Sequence, residues 1–213
     1  MPQAKKSPRY EHQRLQATKA AAIVFAEKGF HGASTADIAS RLGIKQGSLY
    51  YYFKSKEEAL FEVCMLGMSD YLRRMEAIAS SQQSFEARLF ASISAHLGSY
   101  REKNEALKVY NDERLYLSDE QRVELKALGS RYRQLLQGIF DQGKAEGTLR
   151  PDIDSHFAAL AAIGLCNSWG DHIVREPGLD IFDTVQKCTE LLLHGLSQQH
   201  RHETNLNRHS SGS

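Results

Sequence analysis

Cysteine is scarce in this chain: Cys64, Cys166 and Cys188 stand far apart and are odd in number. That argues against a disulfide framework and a thiolate metal cluster, and leaves reduced, packed thiols. Long apolar runs are missing too. None approaches the roughly 18 residues that a membrane span needs, and the opening MPQAKKSPRYEH has no apolar core of the secretory kind. These absences predict a cytoplasmic protein with no membrane partner. The catalytic signatures that a sequence can display are absent as well: there is no Gly-rich phosphate loop, no His-Glu-x-x-His pair and no nucleophile elbow. Three histidines in different segments, His96, His156 and His172, are the remote foothold for a metal-dependent helical enzyme, and their spacing lends it no support. No catalytic residue, metal or cofactor is expected.

Strand signals are nearly absent. Apolar residues recur at spacings of three and four between Gly and Pro breaks, which predicts an all-α fold. The overall charge of +1 hides an asymmetry: residues 1–60 hold 10 Lys and Arg against 5 Asp and Glu, and the remainder holds 17 against 21. A basic N-terminal part on an otherwise acidic chain suggests a polyanionic partner for that part alone.

A first helix is expected over about Gln13 to Lys28, with Leu15, Ala22, Ile23 and Ala26 on its buried stripe and Gly29 as its stop. Ser34 and Asp37 form a capping box that opens a second, short helix through Leu42. After Gly43, a third helix of barely two turns runs to Tyr52, and Ser55 with Glu58 opens a long helix to about Ala79. Two short helices around Leu42-Gly43-Ile44 make a helix-turn-helix, which lets the second helix enter the DNA major groove. Successive helical residues step about 100°. With Leu49 and Phe53 inward, Tyr50 and Tyr51 face the groove with Gly47 and Ser48, and Tyr52 lies at the core's edge.

The stretch from Ala21 to Leu60 closely resembles the DNA-binding domain of the tetracycline-repressor (TetR) family. The matching residues are Phe25, Gly29-Phe30, Thr35, Ile38-Ala39, Gly43-Ile44, Gly47-Ser48-Leu49-Tyr50-Tyr51-Tyr52-Phe53 and Ser55-Lys56-Glu57. The resemblance implies that Thr35 touches a phosphate, that Lys45, Gln46, Gly47, Ser48 and Tyr50 face the bases, and that Tyr51, Tyr52 and Lys56 meet the flanking phosphates. The chemistry is compatible, since Gln pairs with adenine and Lys donates to guanine. Lys5, Lys6 and Arg9 read either as a basic arm reaching the duplex or as a tail with no fixed role.

Further helices are expected over Ser84–Arg101, Asn104–Leu117, Ser118–Lys144, Asp154–Val174 and Asp180–Leu196. The last two carry apolar residues on more than one side, which suggests a homodimer through the two C-terminal helices. The resemblance implies the same arrangement, a near-palindromic double-stranded DNA operator, and a central small-molecule pocket whose filling releases the DNA. Candidates for that pocket are Phe61, Met65, Met68, His96, Asn111, Arg114, Asn167, Trp169 and His172, each also readable as plain core or interface. Residues 111–117, NDERLYL, resemble the same stretch in members that respond to acyl-CoA. The expected organisation is residues 1–54 for the arm and DNA-binding domain, 55–198 for ligand binding and dimerisation, and 199–213 as a polar, disordered tail. The expected function is a ligand-responsive repressor, with a DNA-binding regulator or architectural protein that senses no effector as the alternative.

Overall fold

The computed structural model describes residues 7–101 and 104–196. The expectations placed on Lys5, Lys6 and the tail 199–213 lie outside the described residues. Within them the fold is all-α, with no strand among the elements: α1 (Pro8–Gly32), α2 (Thr35–Leu42), α3 (Gln46–Leu49), α4 (Lys56–Ala79), α5 (Phe85–Gly98), α6 (Glu105–Glu113), α7 (Asp119–Ala145), α8 (Ser155–Arg175) and α9 (Ile181–Leu196), with a 3-10 turn at Arg114–Tyr116.

Local chemistry sets most boundaries. The first helix starts well before Gln13, because the Ser7 hydroxyl accepts from the Tyr10 N–H at 3.3 Å and Pro8 fills the position whose N–H has no helical partner. Arg9 therefore belongs to the first turn of α1 and not to an arm. The buried stripe is rotated from the one expected. It runs through Ala17, Ala21, Val24 and Phe25 and keeps the expected Ala22; Ala26 packs against it, Ile23 is half-buried and Leu15 is exposed. Gly29, at φ 69, interrupts the helical geometry near the end of α1. The α2 box forms in full: Asp37 N–H donates to the Ser34 hydroxyl at 3.2 Å, and Ser34 N–H donates to the Asp37 carboxylate at 2.9 Å. A hydrogen bond from Lys28, then those from Ser34, hold the Asp37 carboxyl down at about 2. Gly43 ends α2 at φ 71, a conformation that a Cβ disfavours.

Two expectations are corrected at helix starts and ends. Glu58 N–H donates to the Ser55 hydroxyl at 3.1 Å, but the Glu58 carboxylate accepts from Lys54 N–H at 2.7 Å, so only half of that box exists. The single helix expected over Asn104–Leu117 breaks at Arg114, whose guanidinium donates to the Tyr110 and Asn111 carbonyls and so satisfies the end of α6. The Ser118–Gln121 box at the start of α7 does form.

Contacts divide the chain into two compact units. The first comprises α1–α3, α4 as far as Tyr71, α6, the 3-10 turn and the chain to Gly129; the second takes the remainder of α4, α5 and the residues from Ser130 onward. In the first unit, Phe25, Ile38, Leu49, Phe53, Leu60, Val63 and Val109 share one buried cluster. Fully burying a large apolar side chain stabilises by about 1.5–3 kcal/mol, so this cluster outweighs any intrinsic preference of the short α2 and α3. The helix-turn-helix is thus held by residues as distant in sequence as Leu117 and Leu125. The second unit has its own core around Phe85, Leu89, Ile93, Leu97, Ile139, Phe140, Ala158 and Val185.

Gly67 on α4 shows how close the helices come. A Cβ there would lie 2.8 Å from the Ala106 carbonyl oxygen of α6, whereas one at Gly138 in α7 would meet nothing within 4 Å. Gly67→Ala should therefore destabilise the protein by about 1–3 kcal/mol through overpacking, and Gly138→Ala should stabilise it by up to about 1 kcal/mol through helix propensity. Chemical denaturation of the two variants checks both signs.

Candidate functional site

The reading surface is built on a helix too short to persist by itself. Helix α3 has four residues, and the chain then continues in a helical turn in which Tyr51 N–H donates to Ser48 O at 3.2 Å and Tyr52 N–H to Leu49 O at 2.8 Å. The two-turn helix expected to reach Tyr52 is thus four residues and a turn. Leu49 and Phe53 anchor it, each 2% exposed. Lys45, Gln46, Gly47 and Ser48 are all exposed, as are Tyr50 and Tyr51, while Tyr52 is half-buried and packs against the core. The faces are those that helical stepping predicts.

Thr35 opens α2 next to this surface, and Gln46 reaches it: Gln46 Nε2 donates to Thr35 Oγ1 at 2.9 Å. The Thr35 hydroxyl keeps its own proton for another acceptor. Lys56 is placed differently from a free phosphate ligand. Its Nζ donates to the Phe30 carbonyl at 2.9 Å and the Ala33 carbonyl at 3.0 Å, and sits 4.4 Å from the centre of the Phe30 ring. Three of its surroundings are therefore structural, and an ammonium has three protons.

Tyr10 is a member of this site that the sequence reading missed. It is 8% exposed, its hydroxyl donates to the Tyr51 carbonyl at 3.3 Å, and its ring meets Tyr51 edge-on at 5.2 Å and Tyr52 at 6.1 Å. The Ser-Pro signal at residues 7 and 8 marked the helix start that carries it. Beside it, Arg14 bonds Glu62 at 2.6 Å, tying α1 to α4. Burial pushes the Glu62 carboxyl up, and Arg14 opposes that shift.

The nine effector candidates are divided between the two units. Phe61, Met65, Met68, Asn111 and Arg114 belong to the first unit, where Phe61, Met65 and Met68 pack in or against its apolar cluster and Arg114 lies over Tyr110. His96, Asn167, Trp169 and His172 belong to the second. There, His96 is buried, with Nδ1 2.9 Å from the Tyr132 hydroxyl and Nε2 3.0 Å from Asn167 Oδ1. Since Oδ1 can only accept, Nε2 carries the proton and Nδ1 accepts from Tyr132. Burial lowers the His96 pKa to about 4, so the ring is neutral at pH 7. Tyr132 is the partner that the sequence reading missed. A small cavity of about 10 Å³ adjoins these groups, lined by Ser92, Ile93, His96, Tyr132, Leu136 and Cys166 among others. Trp169 and His172 stack edge-on at 5.5 Å away from this lining, and His172 pairs with Glu176 at 3.3 Å.

The remote metal reading finds no arrangement to stand on. Both His96 nitrogens are occupied, and among the described residues no three His, Cys, Asp or Glu side chains are grouped to hold a metal. Cys64 and Cys166 are buried thiols pushed up to about 12. Among the described residues, no helix is long and apolar enough to cross a membrane.

Comparison with known proteins places this geometry. Residues 17–63 match the family model described as bacterial regulatory proteins of the tetR family, and residues 82–171 match a tetracyclin repressor-like C-terminal domain. The HTH-type transcriptional repressor KstR2 of Rhodococcus jostii is 30% identical over 191 residues, covering 88% of this chain and 93% of that one. The fatty acid metabolism regulator protein of Bacillus subtilis is 25% identical over 195 residues, covering 90% and 97%. Among solved structures, the transcriptional regulator FadR from Bacillus subtilis in complex with stearoyl-CoA aligns with a TM-score of 0.74 at 26% identity, covering 85% of this chain and 98% of that one.

The His96 network carries a pH signature. With the folded-state pKa below the usual 6.5, the unfolded chain binds a proton that the folded chain refuses, so stability is lost as pH falls from 6.5 toward 4. Between pH 7 and pH 5 this amounts to about 2 kcal/mol. Denaturation of the wild type and of His96→Gln at both pH values isolates the effect, which should vanish in the variant.

Proposed function

The chain belongs to the tetR family of bacterial transcriptional regulators, and on that premise we propose that it is a homodimeric repressor that binds a near-palindromic operator and releases it on binding a largely apolar small molecule. The observation that carries the DNA half is the exposed run Lys45–Ser48 with Tyr50 and Tyr51, held over the buried Leu49 and Phe53. This presents side-chain donors, an acceptor amide and the bare backbone of Gly47 to a groove. In this reading Thr35, Tyr51 and Tyr52 meet phosphates, while Lys45, Gln46, Gly47, Ser48 and Tyr50 face bases. Lys56 acts in two ways, fixing the end of α1 while adding charge beside the phosphates.

The division of labour follows the sequence: residues 1–54 read DNA and residues 55–198 sense and dimerise. The space beside His96 and Tyr132 is about 10 Å³, room for about one water, so in this reading the apolar side chains that line it part to admit the hydrocarbon portion of an effector. The relative solved with stearoyl-CoA favours a CoA thioester or a similar lipid-like molecule. Dimerisation through α8 and α9 is supported by the exposed Phe157, Leu160 and Val174 on one and Phe182 and Leu191 on the other. Two readers related by a twofold axis fit half-sites about one DNA turn apart.

Gel-shift titration tests the reading surface. Gln46→Ala and Tyr50→Ala should each melt like the wild type and weaken operator binding by about 1–3 kcal/mol, roughly 5- to 150-fold, with Gln46→Ala also relaxing base preference. Lys56→Ala should both lower the melting temperature and flatten the salt dependence by about one ion. Wild-type affinity in all three variants would refute the assignment.

A further inference from the structure

The second unit holds a buried cation with donors to spare. Arg88, in the second turn of α5, is 3% exposed, and neither its Nε nor its Nη2 has a hydrogen-bond acceptor. Its Nη1 reaches the Ala79 carbonyl at 3.5 Å, the long limit of such a bond. The nearest carboxylate, Glu146 on α7, stands 3.7 Å from Nη2, close enough for charge but not for a hydrogen bond. Glu146 is engaged elsewhere: one oxygen accepts from the Gln142 amide at 2.6 Å, and the other from the Phe85 N–H, the first of α5, at 3.3 Å. An arginine this buried, with two unserved nitrogens, calls for an acceptor.

Arg88, Gln142 and Glu146 line an open cleft of about 480 Å³ together with residues 80–84, the segment that joins α4 to α5. The start of α5 adds the positive end of a helix dipole, with its Ala87 N–H already capped by the Ser84 hydroxyl at 3.3 Å and its Phe85 N–H held by Glu146. A carboxylate already occupies one of those N–H groups, which shows the kind of charge this corner accepts.

We propose that this cleft is an oxyanion site in which Arg88 binds a phosphate or carboxylate group, with Glu146 as the built-in anion that the ligand displaces. Guanidinium pairs with both groups in a two-pronged fashion. The group can arrive as a free ion or as the anionic end of a larger molecule. Arg88, Ser92 and His96 recur every four residues on α5, so the site lies on the same stripe as the His96 network, about 12 Å along the helix. The site stands apart from the operator reading, and its test does not use DNA.

Calorimetry and thermal melts with inorganic phosphate, and separately with coenzyme A, test it on the full chain. The wild type should bind at least one probe saturably at a single site per chain. Arg88→Gln should lose that binding at least tenfold, and Glu146→Gln, which keeps the acceptor and drops the competing charge, should tighten it severalfold. Binding of phosphate alone identifies a free-ion site, and binding of coenzyme A alone identifies the end of a larger ligand. Failure of both probes to bind the wild type, or equal binding by wild type and Glu146→Gln, overturns the proposal. The Glu146→Gln arm decides the matter even if Arg88→Gln does not fold.

Discussion

Leu49 and Phe53 are the interaction on which the DNA-reading half depends. A four-residue helix has almost no stability of its own, because nucleating one costs more than its few hydrogen bonds return. What holds it is burial: the two side chains enter the cluster formed by α1, α2, α4 and α6, and every exposed residue between and beside them is aimed as a consequence. Tyr10 closes the open flank by packing on Tyr51 and Tyr52 and donating to the Tyr51 carbonyl. Lys56 secures the other side, where the chain leaves α1, by serving the Phe30 and Ala33 carbonyls. The candidate reading surface is exposed at its tips and fixed at its base, an arrangement that limits the entropy lost on binding.

The second unit follows a different rule. Its core is apolar except for a few polar groups: buried His96 has both ring nitrogens served, by Tyr132 and by the exposed Asn167, whereas buried Arg88 stands beside the exposed Glu146 with two nitrogens unserved. A satisfied network specifies one packing of α5, α7 and α8 and resists rearrangement; an unsatisfied charge invites a partner. Both lie on α5, so that helix carries the polar chemistry of the unit, while α8 and α9 turn exposed apolar side chains outward. These helices have separate tasks within one core.

Much of this was legible in the sequence, for identifiable reasons. Capping chemistry is local, so Ser34 with Asp37 and Ser118 with Gln121 marked helix starts that the structure reproduces, and Gly43 marked a stop. The facing of Tyr50, Tyr51 and Tyr52 followed from helical stepping once Leu49 and Phe53 were placed inward. The misses at Lys56 and Tyr10 share a different cause, which is tertiary contact; the one at Arg114 is a local cap, to carbonyls three and four residues back, that helix periodicity does not display. Nothing near Lys56 in the sequence says that its ammonium will reach back to Phe30, and only proximity in space shows that Tyr10 belongs with Tyr51. The pocket candidates were chosen by residue type, which cannot tell that Asn111 and Asn167 lie in different units.

The central claim is that the reading turn is held rigid by its buried anchors before any DNA is present. Native-state hydrogen exchange of the Tyr51, Tyr52 and Phe53 amides in the free protein tests this most directly, since each donates within the turn. The account predicts that they exchange only as slowly as the core amides of α1 and α4 allow, through the same opening of the first unit. Exchange near the rate of an unstructured chain, with α1 still protected, would contradict it.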